Sequence, residues 1–268
     1  EDLSGLTESE KRLLSTSEIT QGYRLACQAK VLGNTTITLP PESYLGARRI
    51  QATGLERFLK PQPAVTKVHV KMPEPTLTDM RPDYERLVDA LSLADQQLEI
   101  DYEELKELPI IVRQSNFDVT VAIWSGRKII SVEAGDSSKN MFGLAVDIGT
   151  SKIVCHLVDL MNGKTLDIES MENPQLAYGE DIISRITFAA ADPKNLAKLH
   201  KILVDAINKI VERICRRQGI ERSQIYEAVV VGNTAMHHLF LGIQPKYVAL
   251  SPFTPVVKRQ VSVEASRL

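Results

Sequence analysis

Asp147-Ile148-Gly149-Thr150-Ser151-Lys152 is the stretch whose reading decides the fold of this chain. An apolar run, Phe142 to Asp147, leads into it, and a second, Ile153 to Leu160, leads out, so the six residues form the tip of a β-hairpin. Such a tip suits an anion. Gly149 lets the backbone approach closely, and successive N–H groups of the turn can form a concave nest. Thr150 and Ser151 add hydroxyl donors, Lys152 a positive charge, and Asp147 can hold Mg²⁺ through water, since Mg²⁺ dehydrates reluctantly. An ordinary hairpin, its Asp and Thr merely stabilising the turn, accounts for the six residues as well.

The residues downstream narrow this choice. Asn162-Gly163 is a hairpin signal, and Thr165 to Met171 reads as a third strand. Gly179 to Phe188 is expected to be helical. Asp192-Pro193 caps a long helix to about Gln218, with Leu196, Leu199, Ile202, Leu203, Ile207, Ile210, Val211 and Ile214 on one face and Gly219 as its stop. Glu227 to Val231 is a strand, and Gly232-Asn233-Thr234 leads into a helix from Ala235 to Leu241. Three strands, helix, strand and helix is the order of a ribonuclease-H-like half-domain. Residues 139–268 thus resemble one half of the ATP-binding fold shared by actin, sugar kinases and heat-shock chaperones. The second Asp-x-Gly-Thr hairpin and the glycine-rich adenosine motif of that superfamily do not occur before Leu268.

Upstream, residues 64–138 read as a small α+β domain, a candidate for dimerisation. Val65 to Val70 is a strand, and Tyr84, Leu87, Val88 and Leu91 form a helical stripe after Pro82. Asp101 with Glu104 caps another short helix, and Asp118–Trp124 and Lys128–Glu133 form a hairpin around Ser125-Gly126-Arg127. Residues 41–63, with Pro41, Pro61 and Pro63, read as a linker. Residues 1–40 carry two capping boxes, Thr7 to Glu10 and Ser15 to Glu18, and an alternating run Val31, Thr35, Ile37, Leu39 that reads as a strand ended by Pro40-Pro41.

The 268 residues, 43% hydrophobic with a net charge of -2, describe a globular protein without the basic footprint of a nucleic-acid or anionic-membrane binder. No apolar run approaches the roughly 20 residues that cross a bilayer. Three widely spaced cysteines, Cys27, Cys155 and Cys215, fit a reducing cytoplasm rather than a disulfide framework. By composition each is a small buried hydrophobe. The chain opens on Glu1 rather than Met and reads as a fragment, a processed product or the ordered part of something longer.

Several strings share one resemblance. Arg24-Leu25-Ala26-Cys27-Gln28 is similar to the fourth-ligand region of a [2Fe–2S] ferredoxin, in which three clustered cysteines come first. Together with the hairpin, with Tyr178-Gly179-Glu180-Asp181-Ile182-Ile183-Ser184-Arg185 and with Val231-Gly232-Asn233-Thr234-Ala235-Met236-His237-His238-Leu239, the chain resembles the reductive activators of corrinoid proteins over its whole length. The resemblance implies a multidomain α/β protein: the tail of a ferredoxin-like domain, a linker, a middle domain and half of an ATPase domain.

It also implies a function. An electron passes from a [2Fe–2S] cluster to a corrinoid protein, converting Co(II) to Co(I), with ATP and Mg²⁺ driving the step. Cys27 becomes a cluster ligand; Asp147, Gly149, Thr150, Ser151, Lys152, Gly232, Asn233 and Thr234 bind nucleotide; Asp147, Glu180 and Asp181 do the catalytic work. The bland role of Glu180-Asp181 is a helix N-terminus. The expected partners are a corrinoid protein, a donor of low potential and a second copy of the chain, in the cytoplasm. A small-molecule kinase of the same superfamily is the alternative; it explains the hairpin but not the ferredoxin-like head. His237-His238 lacks further ligands at metal-binding spacing.

Overall fold

A computed structural model describes residues 2–38, 61–92 and 98–268. The expected linker, apart from its last three residues, lies outside them, as do Leu39, Pro40 and Pro41. The chain divides into two compact units, Glu1–Gly54 and Leu55–Leu268.

In the first unit both capping boxes form. Thr7 and Ser15 accept the N–H groups of Glu10 and Glu18, whose carboxylates return to the cap backbone, starting α1 (Glu8–Leu13) and α2 (Thr16–Thr20). The expected strand does not form. Val31 makes a single bridge to Leu3, and Val31, Leu32 and Ile37 stay exposed. Alternation alone cannot hold a strand that has no partner ladder to pair with.

The unit is instead pinned by the buried Glu10. Its carboxylate accepts from Arg24 Nε at 2.9 Å and from Leu25 N at 3.1 Å, while Arg24 Nη1 reaches Ser4 O at 2.7 Å. The Arg24 guanidinium, with the Thr7 N–H behind it, holds Glu10 well below its ordinary 4.5, at about 2. A carboxyl depressed on folding adds stability that is present above about 4.5 and lost as pH falls toward 2. Amide spectra recorded from pH 6 to pH 2 should show residues 2–38 losing dispersion in that window. In Glu10→Gln this acid step should be gone; if it persists, another group is responsible.

The second unit holds two four-stranded sheets. The first contains β1 (Val65–Lys71), β2 (Glu99–Ile100), β3 (Asp118–Trp124) and β4 (Lys128–Ala134) in the order β1-β3-β4-β2. Helices α3 (Asp83–Ala90) and α4 (Tyr102–Gln114) supply Leu87, Leu108 and Val112 to its core, against Val119, Val121 and Ile129. Asp101 caps α4 as expected, but α4 runs for 13 residues, and Glu104 takes no part in the cap. The Glu104 carboxylate accepts from Val132 N of β4 at 2.9 Å, fastening the helix to the sheet.

The second sheet contains β5 (Phe142–Ile148), β6 (Lys152–Asp159), β7 (Thr165–Glu172) and β8 (Ile225–Gly232) in the order β7-β6-β5-β8. The first three run antiparallel; β8 returns parallel to β5 after a long crossover. That is the strand order expected of a ribonuclease-H-like half-domain up to its fourth strand. The crossover holds α5 (Ile182–Ala191) and α6 (Pro193–Gln218), and α7 (Thr234–Phe240) follows β8. Asp192 caps α6, and Gly219 ends it in the left-handed conformation at φ 66, which a Cβ would strain. These helices bury one face of the sheet, where Ile148, Ile153, Leu157, Leu199, Leu203 and Ile210 are sealed from water. Each such aliphatic side chain contributes about 1.5–3 kcal/mol.

The two sheets share a small cluster of Val65, Ala122, Met141 and Leu160, against which the half-buried Trp124 and Tyr226 pack. Among the described residues no helix is long and apolar enough to cross a membrane.

Candidate anion site at the β5–β6 hairpin

The tip between β5 and β6 is built by turning its carbonyl groups inward. Gly149 N donates to Lys152 O at 2.8 Å, closing the turn. Gly149 O accepts from Asn173 Nδ2 at 2.9 Å, Thr150 O from Arg185 Nη2 at 2.6 Å, and Ser151 O from Asn173 N at 2.9 Å. A trans peptide is planar, so a carbonyl pointing one way sends the next residue's N–H the other way. Three inward carbonyls therefore aim the N–H groups of Thr150, Ser151 and Lys152 away from the interior. Among the described residues those of Thr150 and Ser151 meet no acceptor. This is the donor arrangement of an anion nest.

Gly149 is required here by crowding. A Cβ on it would stand 2.8 Å from Lys152 O. Gly232, paired with Ile148 across β5 and β8, is only a little less confined, since its Cβ would meet Ile148 O at 3.0 Å. That pairing brings Asn233 to the tip. Its Oδ1 caps α7 by accepting from Met236 N at 3.0 Å, and its Nδ2 donates to Thr150 Oγ1 at 3.3 Å. Asp147 lies on the open face of the sheet, its carboxylate exposed and without a hydrogen bond among the described residues. Lys152 is half-buried and, among the described residues, forms no ion pair.

The structure thus assembles Asp147, Gly149, Thr150, Ser151, Lys152, Gly232 and Asn233 at one end of the sheet, with Thr234 starting α7. The acidic pair behaves differently. Helix α5 starts at Ile182, after a 3-10 turn from Pro174 to Tyr178, because Asp181 is its cap; it accepts from Ser184 N and Ser184 Oγ, both at 2.8 Å. The Ser184 N–H and hydroxyl hold its carboxyl below the usual range. Glu180 is exposed, and among the described residues neither carboxylate forms a hydrogen bond or ion pair with the hairpin.

Two residues that grip the tip, Asn173 and Arg185, were not among the expected site residues. Both are fully buried. A visible signal existed for Arg185, a basic residue in the first turn of a helix, the end where the dipole disfavours a cation.

Cys155 and Cys215 are core residues, and burial pushes the Cys155 thiol up to about 12. Cys27, by contrast, is exposed in a turn. A [2Fe–2S] cluster takes four ligands. Among the described residues no group of three metal-ligating side chains exists, and of the cysteines Cys27 is exposed while Cys155 and Cys215 are buried. His238 is structural: Nδ1 faces Thr234 O at 2.7 Å, and Nε2 accepts from Val256 N at 3.1 Å.

Fold and tip define a multidomain α/β protein whose second sheet ends in a hairpin with outward-facing N–H groups. Comparison with known families is specific. Residues 54–139 match the RACo linker region and residues 142–268 the RACo middle region. By these two regions together the chain belongs to the RACo family. It is 34% identical over 165 residues to the corrinoid activation enzyme RamQ of Eubacterium limosum, across 61% of this chain and 28% of that protein. A solved reductive activator for corrinoid, iron-sulfur protein is 38% identical, with a TM-score of 0.64, over 91% of this chain and 41% of its own. The match therefore covers less than half the length of either relative.

Proposed function

We propose that this chain is the phosphate-gripping part of an ATP-dependent activator that returns a corrinoid protein from Co(II) to Co(I). The observation that carries this is the hairpin tip, whose inward-locked carbonyls leave the N–H groups of Thr150 and Ser151 open. The relatives' names, a corrinoid activation enzyme and a reductive activator for corrinoid, iron-sulfur protein, support reductive activation of a corrinoid protein as the reaction class.

In this reading the Thr150 and Ser151 N–H groups, the Thr150 hydroxyl and Lys152 hold a phosphate of ATP, Asn233 orients that hydroxyl, and Asp147 holds Mg²⁺ through water. Mg²⁺ would neutralise charge on the phosphates. Glu180 is left as an exposed carboxylate able to meet water or metal, and Asp181 serves α5. One electron enters for each Co(II) reduced. For a one-electron step each 59 mV uphill lowers the equilibrium constant tenfold. ATP binding by itself shifts that equilibrium only by the difference in its affinity for the two states. Cys27 would be one ligand of the cluster that supplies the electron; the other three belong to a polypeptide of the relatives' length. A corrinoid protein, a low-potential donor, a second copy and a cytoplasmic setting complete the proposal.

The test uses a polypeptide of that length with a corrinoid protein held as Co(II) and a low-potential reductant. The Co(I) absorbance should rise with Mg²⁺ and ATP together. Equal rates without ATP would remove the hairpin from the mechanism, and no Co(I) under any condition would remove the activator.

A further inference from the structure

Arg185 is the least expected charge in the molecule. It is fully buried, yet among the described residues it forms no ion pair. Its nitrogens go to neutral acceptors: Nε to Gly179 O at 2.7 Å, Nη2 to Thr150 O at 2.6 Å and Nη1 to Met236 Sδ at 3.6 Å. A buried charge without a counter-charge is costly, and this one also stands in the first turn of α5, facing the positive end of the helix dipole. Burial pulls its pKa down, opposed only by the charge of Asp181. The surroundings make room for it all the same. A Cβ on Gly179 would stand 2.8 Å from Arg185 N, so glycine there permits the close packing.

We propose that Arg185 is a positioning residue for a phosphate anion at the hairpin tip, and that this phosphate is the counter-charge the fold leaves out. The link is one peptide group. Arg185 donates to Thr150 O, and the same peptide presents the open N–H of Ser151 on its far side. A cation on the carbonyl polarises the peptide and strengthens its N–H as a donor, as in any chain of hydrogen bonds. The charge therefore acts through the Thr150–Ser151 peptide without touching the ligand. The inference rests on the hairpin being an anion grip, but not on ATP or on corrinoid chemistry.

Inorganic pyrophosphate added to the chain is the probe, followed by amide resonances. The Thr150 and Ser151 amides should shift saturably, and the Arg185 Nε–H resonance should move with them. Arg185→Gln keeps a donor for Thr150 O but loses the charge, and should weaken pyrophosphate at least tenfold. Arg185→Lys, which keeps the charge, should recover most of that affinity. If Arg185→Gln fails to fold, the unaltered chain decides through the Arg185 Nε–H. Tip amides that shift while this resonance stays still overturn the proposal, as does a lysine variant as weak as the glutamine one. No shift at Thr150 and Ser151 overturns it too. A failed Co(I) assay with the pyrophosphate shifts intact would instead count against the activator alone.

Discussion

Asp147→Asn should lower ATP-dependent Co(I) formation by about 10²- to 10³-fold while leaving the fold untouched. The rate effect follows from what the carboxylate can do. It is exposed, free of hydrogen bonds among the described residues and two residues before Gly149, so it would be available to hold a hydrated Mg²⁺ in the proposed site. Losing the charge that orients such an ion removes about 3–4 kcal/mol of transition-state stabilisation, at 1.36 kcal/mol for each tenfold. The lack of a structural effect follows from the same exposure. A surface change with no bond to lose moves stability by no more than about 0.5 kcal/mol. Steady-state hydrolysis and Co(I) formation in the long polypeptide, beside urea unfolding of this chain, separate the two. Unchanged rates would leave Asp147 as an ordinary turn residue.

What the sequence disclosed was whatever rests on neighbours along the chain. Thr7-to-Glu10 and Ser15-to-Glu18 are three residues apart and close on themselves. Asp192, Pro193 and Gly219 bracket a helix whose apolar stripe needs only a period of 3.6. The hairpin tip was legible because a two-residue turn between apolar strands is a local object. What stayed hidden depends on partners far away in sequence. Val31 to Ile37 alternates like a strand, but a strand exists only with a ladder, and among the described residues it meets only the single bridge from Val31 to Leu3. Glu104 has the spacing of a cap, and spends its carboxylate on Val132, 28 residues on. The tip itself is shaped by Asn173 and Arg185, 24 and 35 residues downstream. Composition placed Cys27 in the interior, and its exposure comes from a turn in a unit with little core. The residue types of the grip could be read; the reason its N–H groups face outward could not.

Between the two sheets of the second unit lies the polar cluster whose loss should cost the fold most. Lys67 on β1 is sealed from water, and its Nζ donates to Glu133 Oε2 of β4 at 2.8 Å, to Tyr226 Oη of β8 at 2.9 Å and to Asn140 O at 3.1 Å. Tyr226 donates in turn to Glu133 Oε1, Ser137 Oγ donates to Glu133 Oε2 at 2.6 Å, and burial followed by the Glu133 charge raises the tyrosine hydroxyl above its ordinary value. Glu133→Ala strips the ammonium and the phenol of their acceptor together, and a buried charge left without its partner costs 3–5 kcal/mol. Glu133 is 24% exposed, so water can replace part of what is lost, and about 3 kcal/mol is expected. In urea this should lower the unfolding midpoint by about 1 M. Lys67→Met in the same background should restore much of the loss, because the stranded charge is then gone and the side chain already ends over the Tyr226 ring. A double variant as weak as the two single losses added together would show that the three side chains act independently. Recovery would show that one ionised cluster ties β1 and β4 of the first sheet to the beginning of β8, the strand whose far end carries Gly232 to the hairpin.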